Sequence, residues 1–262
     1  MIQSIYRMLI ELTNGKWSSA LLQRFAKSSK SKRVVPSFAK TYKINQEEME
    51  KPLNEYPSLH EFFIRNLKEG SRLIDQHPDA VVSPVDAVIE DIGEIEKNRT
   101  IMVKGKVYSI AEMLGKGDAT ARYDQGTYMI FYLSPSHYHR IHSPLSGEVV
   151  NQWTLGEKSY PVNKAGLKYG NLPLAKNFRT ITEIKHKAGM AAVVKVGAMF
   201  VNSIEPTHKG ERLEKGEEMA YFTFGSTIVM LFEKDTFALL PNISSPFHIK
   251  YGEKIGVLKG KE

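Results

Sequence analysis

"YFTFGSTIVMLF", residues 221–232, is an apolar, β-branched run of the kind that fills a buried strand, with Gly225-Ser226-Thr227 set in its middle. Glycine inside a strand loses packing and costs chain entropy, so it marks a bulge, a bend or a place where another group comes close. The run is one of a series. From about residue 81 onward, "AVIEDIGEIE", "TYMIFYL", "GEVVNQWTL", "AAVVKVGAMFVNSIE" and "IGVLKG" follow one another, separated by Gly, Pro and Asn. That spacing predicts an antiparallel, β-rich region in which 221–232 is one strand.

The chain upstream has a different texture. Ile2, Ile5, Tyr6, Leu9 and Ile10 recur at helical spacing, and after Asn14-Gly15 so do Trp17, Leu21, Leu22 and Phe25. Residues 1–43 hold nine Lys or Arg against the single acid Glu11, whereas the remaining 219 carry 27 basic and 28 acidic groups. The excess charge of the chain, +7 in total, therefore sits at its N-terminus. Basic amphipathic helices of this kind lie in a bilayer interface, held by apolar burial and attraction to anionic lipid. The alternative is that they pack on the domain and leave their charges in water. Nucleic acid is disfavoured, because no aromatic-interleaved or helix-turn-helix pattern accompanies the charge. "KSSKSKR", 27–33, reads as a solvated basic turn, and "SLHEFFIRNLKEG" as helix followed by turn.

The 262 residues include no cysteine, which removes thiol nucleophiles, disulfides and cysteine-held metals. No run reaches the 18 or more apolar residues of a membrane span, and the first 17 residues do not read as a secretory signal. An intracellular chain without a span is expected.

Three groups of residues carry chemistry. "SPSHYHRIHSP" holds His137, His139 and His142; if extended, it places the first two on one face and the third opposite. Acid–base use, polar packing and a metal site are the readings available. With no HExxH pattern or nearby acidic triplet, no metal is expected. Asp86, at the apolar strand start of "SPVDAVIEDIG", reads alone as a turn former, with catalysis the alternative. Ser226 is a weak nucleophile unless a base takes its proton and a third group fixes that base. The chain supplies one of each in the order Asp, His, Ser, but it lacks the GxSxG elbow and the α/β texture of a hydrolase. An external ester is thus not the obvious target.

Short internal echoes pair "SPVDAVI" (83–89) with "SPLSGEV" (143–149), and "KGEEMAYF" (215–222) with "YGEKIGVL" (251–258). Such turn-plus-strand repeats resemble the lipoyl and biotinyl barrel-sandwich modules. More specifically, "FGST", "SLHEFFIRNLKEGSR", "VVSPVDAVI", "YHRIHSPLSGEV", "YPVN" and "VGAMFVNSIE" resemble, in order, the blocks of the phosphatidylserine decarboxylases. The resemblance runs from about residue 55 to the end. Two departures are Phe224 before Gly-Ser-Thr, where leucine is common, and Ala87 after Asp86, where glycine is usual.

The resemblance implies a self-processing, pyruvoyl-dependent enzyme. Asp86 would orient His142, His142 would take the proton of Ser226, and Ser226 would attack the carbonyl of Gly225. Residues 1–225 would leave as the β chain, and Ser226 would become a covalent pyruvoyl group heading an α chain of 226–262. That group would bind phosphatidylserine as a Schiff base, with His139 as proton donor, and release carbon dioxide and phosphatidylethanolamine. The implied partners are phosphatidylserine in an anionic membrane and the chain's own two fragments, with room for a homodimer. The implied place is peripheral, on the cytoplasmic face of the cell membrane. The expected fold is α+β: membrane-docking helices over 1–45, then a catalytic domain over 46–262, with a helical lead-in over 46–80 and a β-rich, barrel-sandwich-like core over 81–262. An uncut barrel-sandwich binding module and a serine hydrolase using Asp86, His142 and Ser226 are the competing readings.

Overall fold

In the computed structural model, which describes residues 16–115, 120–198, 204–223 and 225–260, the run 221–232 is two strands and not one. In chain order the strands are β1 (Ala80–Val82), β2 (Ala87–Glu94), β3 (Thr100–Val103), β4 (Lys106–Ser109), β5 (Thr127–Leu133), β6 (Arg140–His142), β7 (Gly147–Leu155) and β8 (Arg179–His186). They continue as β9 (Gly189–Gly197), β10 (Ile204–Pro206), β11 (Arg212–Leu213), β12 (Glu218–Phe222), β13 (Ser226–Phe232), β14 (Phe237–Leu239), β15 (Phe247–Ile249) and β16 (Lys254–Leu258). β12 belongs to a three-stranded sheet ordered β10-β12-β6, whereas β13 lies inside an eight-stranded sheet ordered β11-β7-β8-β9-β13-β5-β2-β15. The chain passes from one sheet to the other between Phe222 and Ser226. The apolar run conceals this, because hydrophobic pattern reports burial but not which sheet a strand joins.

β13 is buried along its whole length. Its side chains alternate: Val229 and Leu231 enter one core with Ile130 and Val194, and Ile228, Met230 and Phe232 enter a second with Met129 and Phe131. Each such burial contributes about 2 kcal/mol, so the strand is anchored on both faces.

The echoes in the sequence are a structural duplication. Ser83 and Ser143 each turn their hydroxyl onto the carbonyl two residues on, both at 2.7 Å. Ser83 N–H donates to Glu253 O and Ser143 N–H to Glu217 O, both at 2.8 Å. The two turns also interlock, with His142 N–H donating to Pro84 O and Val82 N–H to Pro144 O. The three-stranded sheet β1-β16-β14 matches β6-β12-β10, and the eight-stranded order reads the same from either edge about the β9/β13 pair. Even the register breaks correspond, at Ile89/Asp91 in β2 and Val149/Asn151 in β7. Strand pairing is antiparallel throughout the named strands, and the large sheet does not close into a barrel.

Helices precede and flank these sheets. Ser58 caps helix Leu59–Phe63 by accepting Glu61 N–H, and Phe62 and Phe63 are buried beneath it. The basic stretch 27–33 is not simply a solvated turn: Ser29–Val34 is a 3-10 helix in which Ser31 is buried, donating to Ala26 O and accepting from Leu59 N–H. Helix Lys16–Lys27 buries Ala26 and packs Leu22, yet leaves Leu21 and Phe25 exposed. The amphipathic pattern over residues 2–12 lies outside the described residues.

Candidate active site

Ser226 opens β13, opposite Leu133 at the end of β5 and Gly197 at the end of β9. It is fully buried, and its Oγ has no hydrogen-bond partner. The preceding Gly225 has its carbonyl held by Ala198 N–H at 3.0 Å. A Cβ built on Gly225 meets nothing within 4 Å, so neither φ nor packing in this state demands glycine there. Thr223 Oγ1 and Thr227 Oγ1 are buried without partners too. Buried polar atoms are paired in the great majority of cases, so three unpaired hydroxyls around one corner mark this segment out.

Asp86 immediately precedes β2, two strands from β13 and therefore about 10 Å across the sheet. Its carboxylate accepts Tyr251 N–H at 2.9 Å, the same turn bond that Ser146 Oγ accepts from Lys215 N–H in the duplicate. The carboxylate thus serves a turn, but that of residue 251 and not its own backbone. What the duplicate lacks is Arg72, which donates Nε at 2.9 Å and Nη2 to Asp86, and which also pairs with Glu48.

His142 occupies the position that Val82 holds in the duplicate. Its Nδ1 lies 2.9 Å from Gly216 O, and because a carbonyl only accepts, the proton is on Nδ1. Nε2 is left as the acceptor and meets Tyr138 O–H at 3.2 Å. The ring stacks on Tyr251 at 3.7 Å, and Tyr251 O–H also donates to Gly216 O. Asp86 does not touch His142 directly: it pins the Tyr251 backbone, and Tyr251 fixes the imidazole plane. Burial pushes the His142 pKa down to about 4, so the ring is a neutral base near pH 7. No hydrogen bond joins His142 to Ser226 in this state.

His139, fully buried, packs its ring tilted against Phe63, centroids 4.0 Å apart, and donates Nδ1–H to His137 O at 2.9 Å. Nε2 has no partner. Burial, with the Arg65 guanidinium and His137 beside it, holds its pKa well below the ordinary histidine value. Its carbonyl accepts Phe222 N–H at 2.9 Å, tying it to β12 four residues before Ser226. His137 and His139 do not share a strand face, because His137 N–H bonds Ser134 O and closes a turn. Arg65 holds that turn, donating Nη2 to Ser136 O and His137 O at 3.0 and 3.1 Å. Among the described residues, no group of three or more His, Asp or Glu converges as a metal site.

Sequence reasoning missed Arg65, Arg72, Tyr138 and Tyr251. The two arginines lie within "IRNLKEGSR", and basic heads in a half-buried lead-in were the available signal.

Comparison with known proteins finds relatives over the whole chain. Residues 59–257 match the family model described as phosphatidylserine decarboxylase. A phosphatidylserine decarboxylase proenzyme of Anoxybacillus flavithermus is 58% identical over 262 residues, 100% of this chain and 99% of the relative. One from a Geobacillus species is 58% identical over 259 residues, covering 99% and 100% of the two chains, and one from Bacillus cereus is 55% identical over 255, covering 97% of each. The match spans both duplicated halves and every residue of the site described above, and the chain is a carboxy-lyase that belongs to the phosphatidylserine decarboxylase family.

Proposed function

We propose that the chain cuts itself between Gly225 and Ser226 and then decarboxylates phosphatidylserine. The observation that carries the first step is the buried, unpartnered Ser226 Oγ beside a glycine carbonyl that already accepts a backbone N–H. The Oγ attacks the Gly225 carbonyl carbon, and its proton passes to His142 Nε2 once the Tyr138 hydroxyl yields that atom. Ala198 N–H is placed to stabilise the negative charge that gathers on Gly225 O. The amide nitrogen leaves as an amine, giving an ester. Loss of the Ser226 α-proton expels Gly225 as a carboxylate and leaves a dehydroalanine, which takes up water and releases ammonia. The open space at Gly225 lets the backbone bend into this geometry.

Residues 226–262 would remain bound without a covalent link. β13 pairs with β5 and β9, β15 with β2 and β16 with β1, so four strands of the larger fragment hold the smaller one.

The residues present fit a pyruvoyl group at position 226: the position is fully buried, and His139 Nε2, without a hydrogen-bond partner, lies in the adjoining turn. When formed, that group supplies an electron sink for the pair left behind as carbon dioxide departs. His139 Nε2 takes the proton that the substrate ammonium must lose, and returns it to the carbon that carbon dioxide has left. Arg65 and Phe63 hold His139 in place for both transfers. A serine hydrolase is disfavoured because the carbonyl beside Ser226 is that of its own predecessor Gly225, whose oxygen Ala198 N–H already holds.

The helices of the 1–45 region serve membrane docking in this reading, on the cytoplasmic face of the cell membrane, and 46–262 forms the catalytic domain. Each interfacial Lys or Arg is worth about 1 kcal/mol near an anionic surface. Among the described residues no helix is long and apolar enough to cross a membrane. Incubation of the purified protein with phosphatidylserine vesicles is expected to release carbon dioxide and form phosphatidylethanolamine. A chain that is cleaved but turns over no phosphatidylserine would overturn the substrate assignment.

A further inference from the structure

Besides the solvent-facing residues of helix Lys16–Lys27, the described residues expose three large apolar side chains close together in the fold. Met102 and Val107 are cross-strand partners in the β3–β4 hairpin and are 62% and 52% exposed. Tyr169, at the end of helix Lys164–Tyr169, is 77% exposed. Lys106 Nζ donates to Gly170 O, which ties the hairpin to that helix. Apolar pairs on the open face of a two-stranded hairpin have no packing role, since Ile101, Val103 and Tyr108 already fill its inner side.

Within the two segments that carry them, the charge has one sign. Residues 100–109 and 161–178 together carry Lys104, Lys106, Lys164, Lys168 and Lys176 and no acidic residue. Only Lys104 has an acidic partner, Glu90 of β2, at 3.0 Å. Lys168 lies over the Tyr169 ring at 5.2 Å. The hairpin tip is short and stiff, with Lys104 and Gly105 both in the left-handed region at φ 49° and 79°.

The patch and the N-terminal helices cover the same core. Ile101, Val103, Tyr108, Leu167 and Leu174 pack on the core that holds Ala26, Phe38 and Phe63. Leu21 and Phe25 therefore project from elements covering the same side of the large sheet. The geometry points to a second membrane contact: the β3–β4 hairpin and helix Lys164–Tyr169 insert Met102, Val107 and Tyr169 into an anionic bilayer while their lysines meet its headgroups. The inference rests on the reading of the substrate as a bilayer lipid. It adds that the body of the enzyme, and not its N-terminus alone, sets its pose on the surface.

The test is sedimentation of the full-length protein with phosphatidylcholine vesicles containing or lacking phosphatidylglycerol. The triple variant Met102→Glu, Val107→Glu, Tyr169→Glu is compared with Leu73→Glu, an exposed apolar site beside Gly252 on another part of the surface. The triple variant is expected to bind anionic vesicles at least about tenfold more weakly, with an unchanged melting temperature. Lys106→Gln with Lys168→Gln is expected to lose part of the preference for anionic over neutral vesicles. Unchanged binding in the triple variant, or an equal loss in Leu73→Glu, would overturn the proposal. Decarboxylation by the parent protein in detergent micelles tests the substrate reading separately, so the two failures are distinguishable.

Discussion

His142→Ala is expected to leave the chain uncut at 29.6 kDa, with self-cleavage slowed by about 10²–10⁴-fold. The imidazole is the described base best prepared for Ser226: Gly216 O holds the proton on Nδ1, and Tyr251 fixes the ring plane. The pH dependence separates this base from an ordinary surface histidine. Burial holds the His142 pKa at about 4, so the reactive neutral form persists from pH 8 down to about pH 5. The cleavage rate should be level across that range and fall about tenfold per unit below pH 4. A rate that declines through pH 6.5 would place the base elsewhere. Tyr138→Phe provides a further check, because removing the hydroxyl that occupies Nε2 should leave cleavage as fast or faster.

His139→Ala is expected to behave in the opposite way. The chain should be cut at Gly225, since His139 contacts neither the scissile carbonyl nor His142 among its hydrogen bonds. Turnover of phosphatidylserine should then fall about 10²–10⁴-fold, the usual cost of losing a positioned proton carrier. The loss should appear mainly in kcat, because the imidazole acts on the reacting carbon and not on the lipid's phosphate or acyl chains. Protein that stays uncut would remove the division of labour between the two histidines.

Much of the fold was legible because burial leaves a local trace. "TYMIFYL" and "GEVVNQWTL" coincide with β5 and β7 residue for residue, since both alternate or fill a buried sheet position. The echoes between 83–89 and 143–149 were legible as well, because a Ser-Pro turn needs its own residue types. Residues 221–232 were misread as one strand because the break between Phe222 and Ser226 is set by which sheet each half joins, a long-range choice. The condition for His137 and His139 to share a face, an extended segment, is not met for a related reason. The Ser134–His137 turn is held by Arg65, 71 residues from Ser136 in sequence.

The residues singled out at the site were legible as chemical types but not as a geometry. Asp86, His142 and Ser226 suggested a direct relay. The carboxylate instead reaches the imidazole through Tyr251, which is 165 residues away along the chain. Arg72 could not be paired with Asp86 from pattern alone, because nothing local distinguishes it from the other basic residues of the lead-in.

An intact mass spectrum under denaturing conditions, beside Ser226→Ala, tests the central claim most directly. The account predicts two fragments for the parent, residues 1–225 and 226–262, the smaller carrying a pyruvoyl group in place of its N-terminal serine, and one full-length chain for the variant. A single 29.6 kDa chain in both samples after incubation at neutral pH would contradict it.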